Sequence, residues 1–107
     1  MQYKYAKIVV FTPVTHAEAI RQTLGKAGAG HIGNYDYCSF STTGIGRYRP
    51  REGSNPYRGK QDTLETVEEE KIETICPANK VQSIVKAVQK THPYEEPAID
   101  IYPLLNI

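Results

Sequence analysis

A chain of 107 residues, 39% of them apolar, holds one domain with a modest core and leaves little room for a second. Its 13 basic and 12 acidic residues give a formal net charge of +1, which excludes the broad electrostatic footprint of a nucleic-acid or membrane-surface binder; any basic patch has to be local. Eight Tyr, seven Pro and eight Gly with no Trp suit a mixed α/β domain that carries a structured loop.

Near the N-terminus the apolar run Ile8 to Phe11 is too short for a signal-peptide core or a membrane span, so the cytoplasm is the expected location. Residues 5–12, rich in β-branched and aromatic types, predict strand one, which Pro13 ends. Thr15 to Glu18 has the form of a capping box, in which the Thr hydroxyl accepts from a backbone N–H three residues on and Glu18 reaches back. Ala17, Ile20, Leu24 and Ala27 then recur at helical spacing, and Gly28-Ala29-Gly30 supplies a left-handed C-terminal stop.

Strand two is predicted over 35–42, followed by a loop over 44–62 rich in Gly, Pro and Arg; excursions of that length inside a compact domain are usually functional or disordered. Strand three is expected at about 64–75, with a bulge or twist where the alternation slips between Val67 and Ile72. Glu68 to Glu70 within it reads as a solvated strand edge. Pro77 suits the first turn of helix two, Val81, Ile84, Val85 and Val88 form its buried stripe, and Thr91-His92-Pro93 stops it. Residues 97–102 predict strand four, with Ile99 and Ile101 on one face. Cys38 and Cys76 fall in separate strands by this reading and are expected to be reduced, buried thiols.

The order β-α-β-β-α-β predicts an α+β, ferredoxin-like domain over residues 1–107: an antiparallel four-stranded sheet, two helices on one face and a long loop between strands two and three. The uncovered face favours a homo-oligomer. Crossovers of the usual hand bring three connections to one end of the sheet: the strand-one exit with His16, the loop 44–62, and the turn His92 to Pro97. That end gathers Arg47, Tyr48, Arg49, Arg51, Tyr57 and Arg58 beside His92, Tyr94, Glu95 and Glu96.

Four segments together, GAGHIGNYDYCSFSTTGIGRYRP (28–50), GSNPYRG (53–59), ETVEEEKIE (65–73) and THPYEEPAIDIYPL (91–104), resemble the insert domain of the Nif-three-like family. The resemblance covers about residues 5 to 105 and implies a stand-alone copy of that insert, similar in fold to the trimeric CutA and PII proteins. It therefore implies trimeric assembly, and a site where the PII loop and helix-two exit flank an inter-subunit cleft. The basic phosphate contacts of PII do not match HPYEEP residue by residue, so ATP binding is not carried over. The two-metal site of the full-length family belongs to flanking domains outside this sequence, and with it any hydrolase activity.

The residues themselves show no nucleophile elbow, no Ser-His-Asp or Cys-His arrangement and no CxxC or HExxH, and the Gly-rich stretch 44–59 lacks both a GxGxxG at a strand–helix junction and a P-loop. The expected function is thus a non-enzymatic oligomeric module without a cofactor, which senses a small anionic ligand or docks a protein partner. Ligand-binding candidates are Arg47, Tyr48, Arg49, Tyr57, Arg58, His92, Tyr94 and Glu95, since Arg with Tyr can grip an anion or stack on a ring. The alternative is a CutA-like divalent-metal tolerance protein, for which His92 and Glu95 or Glu96, together with His16 or a thiol, are the candidate ligands. Arg-Tyr interleaving also suits single-stranded nucleic acid, but the carboxylates of EEEK and HPYEEP argue against it.

Overall fold

The structure, a computed structural model, describes residues 2–106. Four strands, β1 (Tyr5–Pro13), β2 (Phe40–Tyr48), β3 (Glu65–Pro77) and β4 (Ile99–Pro103), form one sheet in the order β2-β3-β1-β4, with every neighbouring pair antiparallel. Helices α1 (Ala17–Lys26) and α2 (Val81–Thr91) each follow a short 3-10 turn. This is the α+β, ferredoxin-like arrangement expected from the order of elements. No helix among the described residues is long and apolar enough to cross a membrane.

Pleating divides the sheet into two unlike faces, because successive strand residues point to opposite sides. Ala6, Ile8 and Val10 of β1 and Ile72 and Cys76 of β3 meet Ile20 and Leu24 of α1 and Ile84 and Val88 of α2, forming the core; Val81 and Ile99 pack at its margin. The opposite row holds Lys7, Val9 and Phe11 of β1, Val67, Glu69, Lys71 and Glu73 of β3 and, by register, Gly44, Gly46 and Tyr48 of β2. No helix covers it. Arg21 ties the helix side together: it pairs with Glu18 at 2.8 Å and Glu70 at 2.5 Å and donates to Ser41 at 3.1 Å. Glu18 is thereby held below the ordinary carboxylate range, chiefly through its bond from Arg21.

The end of α1 follows the glycine signal closely. The N–H of Ala29 bonds the carbonyl of Leu24 at 3.0 Å and that of Gly28 the carbonyl of Gly25 at 3.1 Å, the paired bonds of a Schellman motif. Gly28 has φ 104° and Gly30 φ 87°. Gly30 then lies between two strands' worth of backbone. Its N–H bonds Ile75 O at 2.7 Å and its carbonyl accepts from Cys38 N at 3.0 Å.

Several sequence expectations are corrected. The capping box does not form: the Thr15 hydroxyl bonds His16 Nδ1 at 2.9 Å, Glu18 turns to Arg21 and Gln22, and a 3-10 turn occupies 14–16. Strand two begins at Phe40, not 35, because Tyr37 takes φ 56° and breaks extension; β2 then continues through Tyr48, so the connecting loop is 49–64 rather than 44–62. Cys38 accordingly lies outside any strand, in the turn that precedes β2, and only Cys76 is buried.

β3 has no bulge, since its register with both neighbours is unbroken. Val67 and Ile72 differ in parity because they face opposite sides of one long strand, each against a different partner. Pro77 ends β3 with ψ 137° and precedes the 3-10 turn Ala78–Lys80, so α2 proper starts at Val81. β4 is shorter than expected and begins at Ile99.

Candidate functional site

β1 ends at Pro13, paired with Glu69, while the β2–β3 hairpin runs on to the Tyr48–Glu65 pair. The loop 49–64 closes that hairpin and folds back. Its neck is fastened by the N–H of Asp62 on Pro50 O at 2.7 Å, and Pro50 is buried there. The Tyr48 hydroxyl donates to Arg58 O at 2.6 Å, which pins the loop to its own strand. Across the gap, Asn55 N donates to Glu95 Oε2 at 3.0 Å, which joins the loop to the turn after α2. Two segments far apart in sequence thus share a boundary, as the right-handed crossovers required.

Between them lies a cavity of about 430 Å3, lined by Phe11, Pro50, Pro56 and the rings of Tyr48, Tyr57 and Tyr94, with Glu69 and Glu95 also in its wall. That volume falls in the range of small-molecule sites, roughly 300–1,000 Å3. The Tyr94 ring stands 6.2 Å from Tyr48 and 6.1 Å from Tyr57, both tilted by about half a right angle, and Tyr57 meets His16 edge-on at 5.7 Å. A second cavity of about 410 Å3 shares Tyr57, Arg58 and Tyr94 and reaches Val67 and Thr15.

His92 holds this end together from beneath. It is only 7% exposed, and both ring nitrogens are engaged: Nδ1 accepts from Tyr94 N at 3.1 Å, so Nε2 carries the proton and donates to Phe11 O at 2.7 Å. Burial pulls its pKa below the ordinary histidine value, against the opposing bond to Phe11. The ring is therefore a neutral structural clamp between β1 and the HPYEEP turn, packed 4.9 Å from Tyr94. Tyr94 in turn donates its hydroxyl to Glu69 Oε2 at 2.9 Å. Burial first and that carboxylate second push its phenol far above the usual value, so it stays a neutral donor. Burial, with Glu65 adding, raises Tyr48 as well.

The expected site residues are thus partly gathered. Arg47, Tyr48, Tyr57, Arg58, Tyr94, Glu95 and Glu96 line the cavity, whereas Arg49 and Arg51 do not, and His92 lies behind Tyr94 rather than in the wall. Arg47 and Tyr48 sit on β2 instead of in the loop. By its pairing with Thr66, Arg47 belongs to the helix-side row, so it reaches the cavity from the rim. Arg21 forms the only ion pairs among the described residues, which leaves Arg47, Arg49, Arg51 and Arg58 without carboxylate partners there. No group of three or more His, Cys, Asp or Glu side chains with metal-binding geometry occurs among the described residues.

Three residues of the cavity wall, Phe11, Glu69 and Ala98, lie outside the segments that the sequence brings together. Glu69 was folded into a solvated Glu run, yet it shares Val67's parity and faces the cavity. The parity slip at 67–72 was the signal that could have separated it from its neighbours. Gly46 matters for what it lacks, since a Cβ there would collide with the Glu69 carboxylate.

No protein-family model matches the chain. It is 57% identical over 100 residues to a GTP cyclohydrolase 1 type 2 homolog of Halalkalibacterium halodurans, covering 94% of this chain and 27% of that protein. It is also 45% identical over 98 residues to the protein of the same name from Bacillus subtilis, covering 92% and 26%. The chain thus spans about a quarter of the length of the curated relatives it matches. Among solved structures, a Bacillus cereus protein related to NIF3 superposes with TM-score 0.84 at 52% identity, over 97% of this chain and 26% of that one. CutA1 from a psychrotrophic Shewanella superposes with TM-score 0.73 at 17% identity, over 99% of this chain and 86% of that one, a likeness of fold.

Proposed function

We propose that residues 1–107, a Nif-three-like domain of CutA-like fold, act as one non-enzymatic binding module whose cavity takes a small anionic ligand bearing a planar ring. One observation carries the reading: the tyrosine-walled cavity between the loop 49–64 and the HPYEEP turn, with Arg47 and Arg58 at its margin and no carboxylate pairing them among the described residues. Aromatic walls suit a ring, and an unpaired guanidinium suits the carboxylate or phosphate of the same molecule. Catalysis has less support. The carboxylates of the wall are spoken for in part, Glu69 by Tyr94 and Glu95 by Asn55, and His92 spends both nitrogens inside the fold.

The relatives' name makes guanine nucleotides the first probes, alongside other phosphorylated metabolites. Since a ligand that binds only the folded state raises its stability by mass action, thermal melts read binding directly. GTP or a related phosphate is expected to raise the melting temperature of the wild type by several degrees, and an Arg47→Ala/Arg58→Ala variant is expected to lose that rise while melting normally by itself. A panel that leaves the wild type unmoved would remove the ligand reading.

Self-association is part of the same proposal. The uncovered sheet face carries Phe40, 68% exposed, and Tyr102, 51% exposed, and such a face is commonly buried by another copy. Light scattering is expected to give a mass above that of one chain, with a trimer the expected multiple. Divalent-cation handling, the alternative, draws on the likeness of fold to divalent-cation tolerance proteins alone; the first candidate ligand, His92, offers no free nitrogen.

A further inference from the structure

Resting on the cavity reading above, we infer that the ligand presents an N–H donor from its ring to Glu69, and that Gly46 and Tyr94 exist in this site to position that carboxylate. Glu69 is the half-buried acid in the cavity wall, on the sheet row that faces away from the helices. One of its oxygens, Oε2, is fixed by the Tyr94 hydroxyl at 2.9 Å. The other, Oε1, has no hydrogen-bond partner among the described residues and rests against Gly46, where a side chain of any size would displace it. A carboxylate held at one oxygen and open at the other is an oriented acceptor. It rewards a donor and penalises an acceptor brought to the same place.

The rest of the wall sets the kind of donor. The rings of Tyr48, Tyr57 and Tyr94 ask for a flat partner, and Phe11, Pro50 and Pro56 add apolar surface at its edges. An aliphatic ammonium would leave those ring faces and proline edges without matching surface. A planar amine or an N–H-bearing heterocycle fills them and still reaches Glu69. With an anionic group at Arg47 or Arg58, the class is an amino-substituted or N–H-bearing aromatic ring joined to a phosphate or carboxylate. Tyr94 is a positioning residue here: its backbone N–H is fixed by His92 and its hydroxyl by Glu69, so the wall and the acceptor move as one piece.

The test uses two fragments that differ in the donor alone, 4-aminophenyl phosphate and phenyl phosphate, measured by calorimetry or NMR titration on the full chain. A hydrogen bond to a charged group is worth about 1.5–3 kcal/mol, so the amine is expected to bind roughly 10- to 100-fold more tightly. Glu69→Gln, which keeps shape and the bond from Tyr94, is expected to erase most of that ratio, the loss falling on the amine, while phenyl phosphate binds no more weakly because a negative charge has left the wall. Gly46→Ala is expected to reduce the ratio as well, because the carboxylate leaves its seat. Thermal melts of each variant separate loss of selectivity from loss of fold. If both fragments bind equally and Glu69→Gln changes nothing, the cavity reading stands and the role of Glu69 falls. If neither fragment binds the wild type, and guanine nucleotides do not either, both fall together.

Discussion

The two faces of the sheet solve different problems with the same four strands. On the helix side, Ile8, Val10, Ile20, Ile72, Ile84 and Val88 lose all contact with water and carry no polar atoms to satisfy. On the other side, at the end where β1 runs out, tyrosines, prolines and carboxylates surround space that they do not fill, and several polar groups there, the guanidinium groups of Arg47 and Arg58 and one oxygen of Glu69, have no partner among the described residues. The first arrangement stabilises by area removed from water. The second keeps a cavity open, held by the ring nitrogens of His92 on Phe11 O and Tyr94 N and by the amides of Asn55 and Asp62 on Glu95 and Pro50. Stability and recognition are thus separated by pleat parity, so a substitution ought to disturb one side and spare the other.

The sharpest way to break that comparison is Ile84→Ala. A large-to-small change in a fully buried site typically costs about 2–5 kcal/mol, and a urea titration is expected to show a loss of that size with the loop's hydrogen-exchange pattern retained wherever the protein stays folded. A loss below about 1 kcal/mol would mean the core relaxes more than its packing implies. Next in size is Gly30→Ala. A Cβ there falls 2.6 Å from both Cys38 N and Cys38 O at φ 87°, so backbone has to move; an expected cost of about 1–3 kcal/mol is read by the same titration.

A pH series sharpens the other half. Burial holds the pKa of His92 below the unfolded value of 6.5, so the unfolded chain binds the proton first. Stability due to this group is complete above that value and declines as pH falls from 6.5 through the folded pKa. Wild type compared with His92→Gln between about pH 7 and about pH 5 is expected to show a steeper decline for wild type. Parallel slopes would mean the ring is not the buried neutral group described. The smallest effect belongs to Glu95→Ala. It removes an exposed acceptor for Asn55 N, so global stability is expected to change by less than about 1 kcal/mol, while amide exchange over 49–64 accelerates.

Much of the fold was legible because the apolar spacings of 17–27 and 81–88 and the glycine stop at 28–30 are local signals that tertiary structure did not override. The strand order followed from crossover hand. What failed was the start and reach of β2. Its residues are almost entirely exposed, so hydrophobic alternation had nothing to report, and a left-handed Tyr37 left no mark in composition. The site was legible as a meeting of segments and less so as a list of side chains. Parity along β3 decides which of three consecutive glutamates faces the cavity, and strand boundaries must be right before parity can be used. Arg49 and Arg51 were grouped with the site by proximity in sequence, which a folded loop does not honour.

Tyr94 joins His92 to Glu69 through one residue, by its amide at one end and its hydroxyl at the other. The imidazole therefore has a built-in line of sight to the cavity without standing in it. Occupancy that pulls on Glu69 should register in the nitrogen chemical shifts of that ring, while the protein's two remaining imidazoles, His16 against Tyr57 and His31 on the far turn, serve as near and distant references.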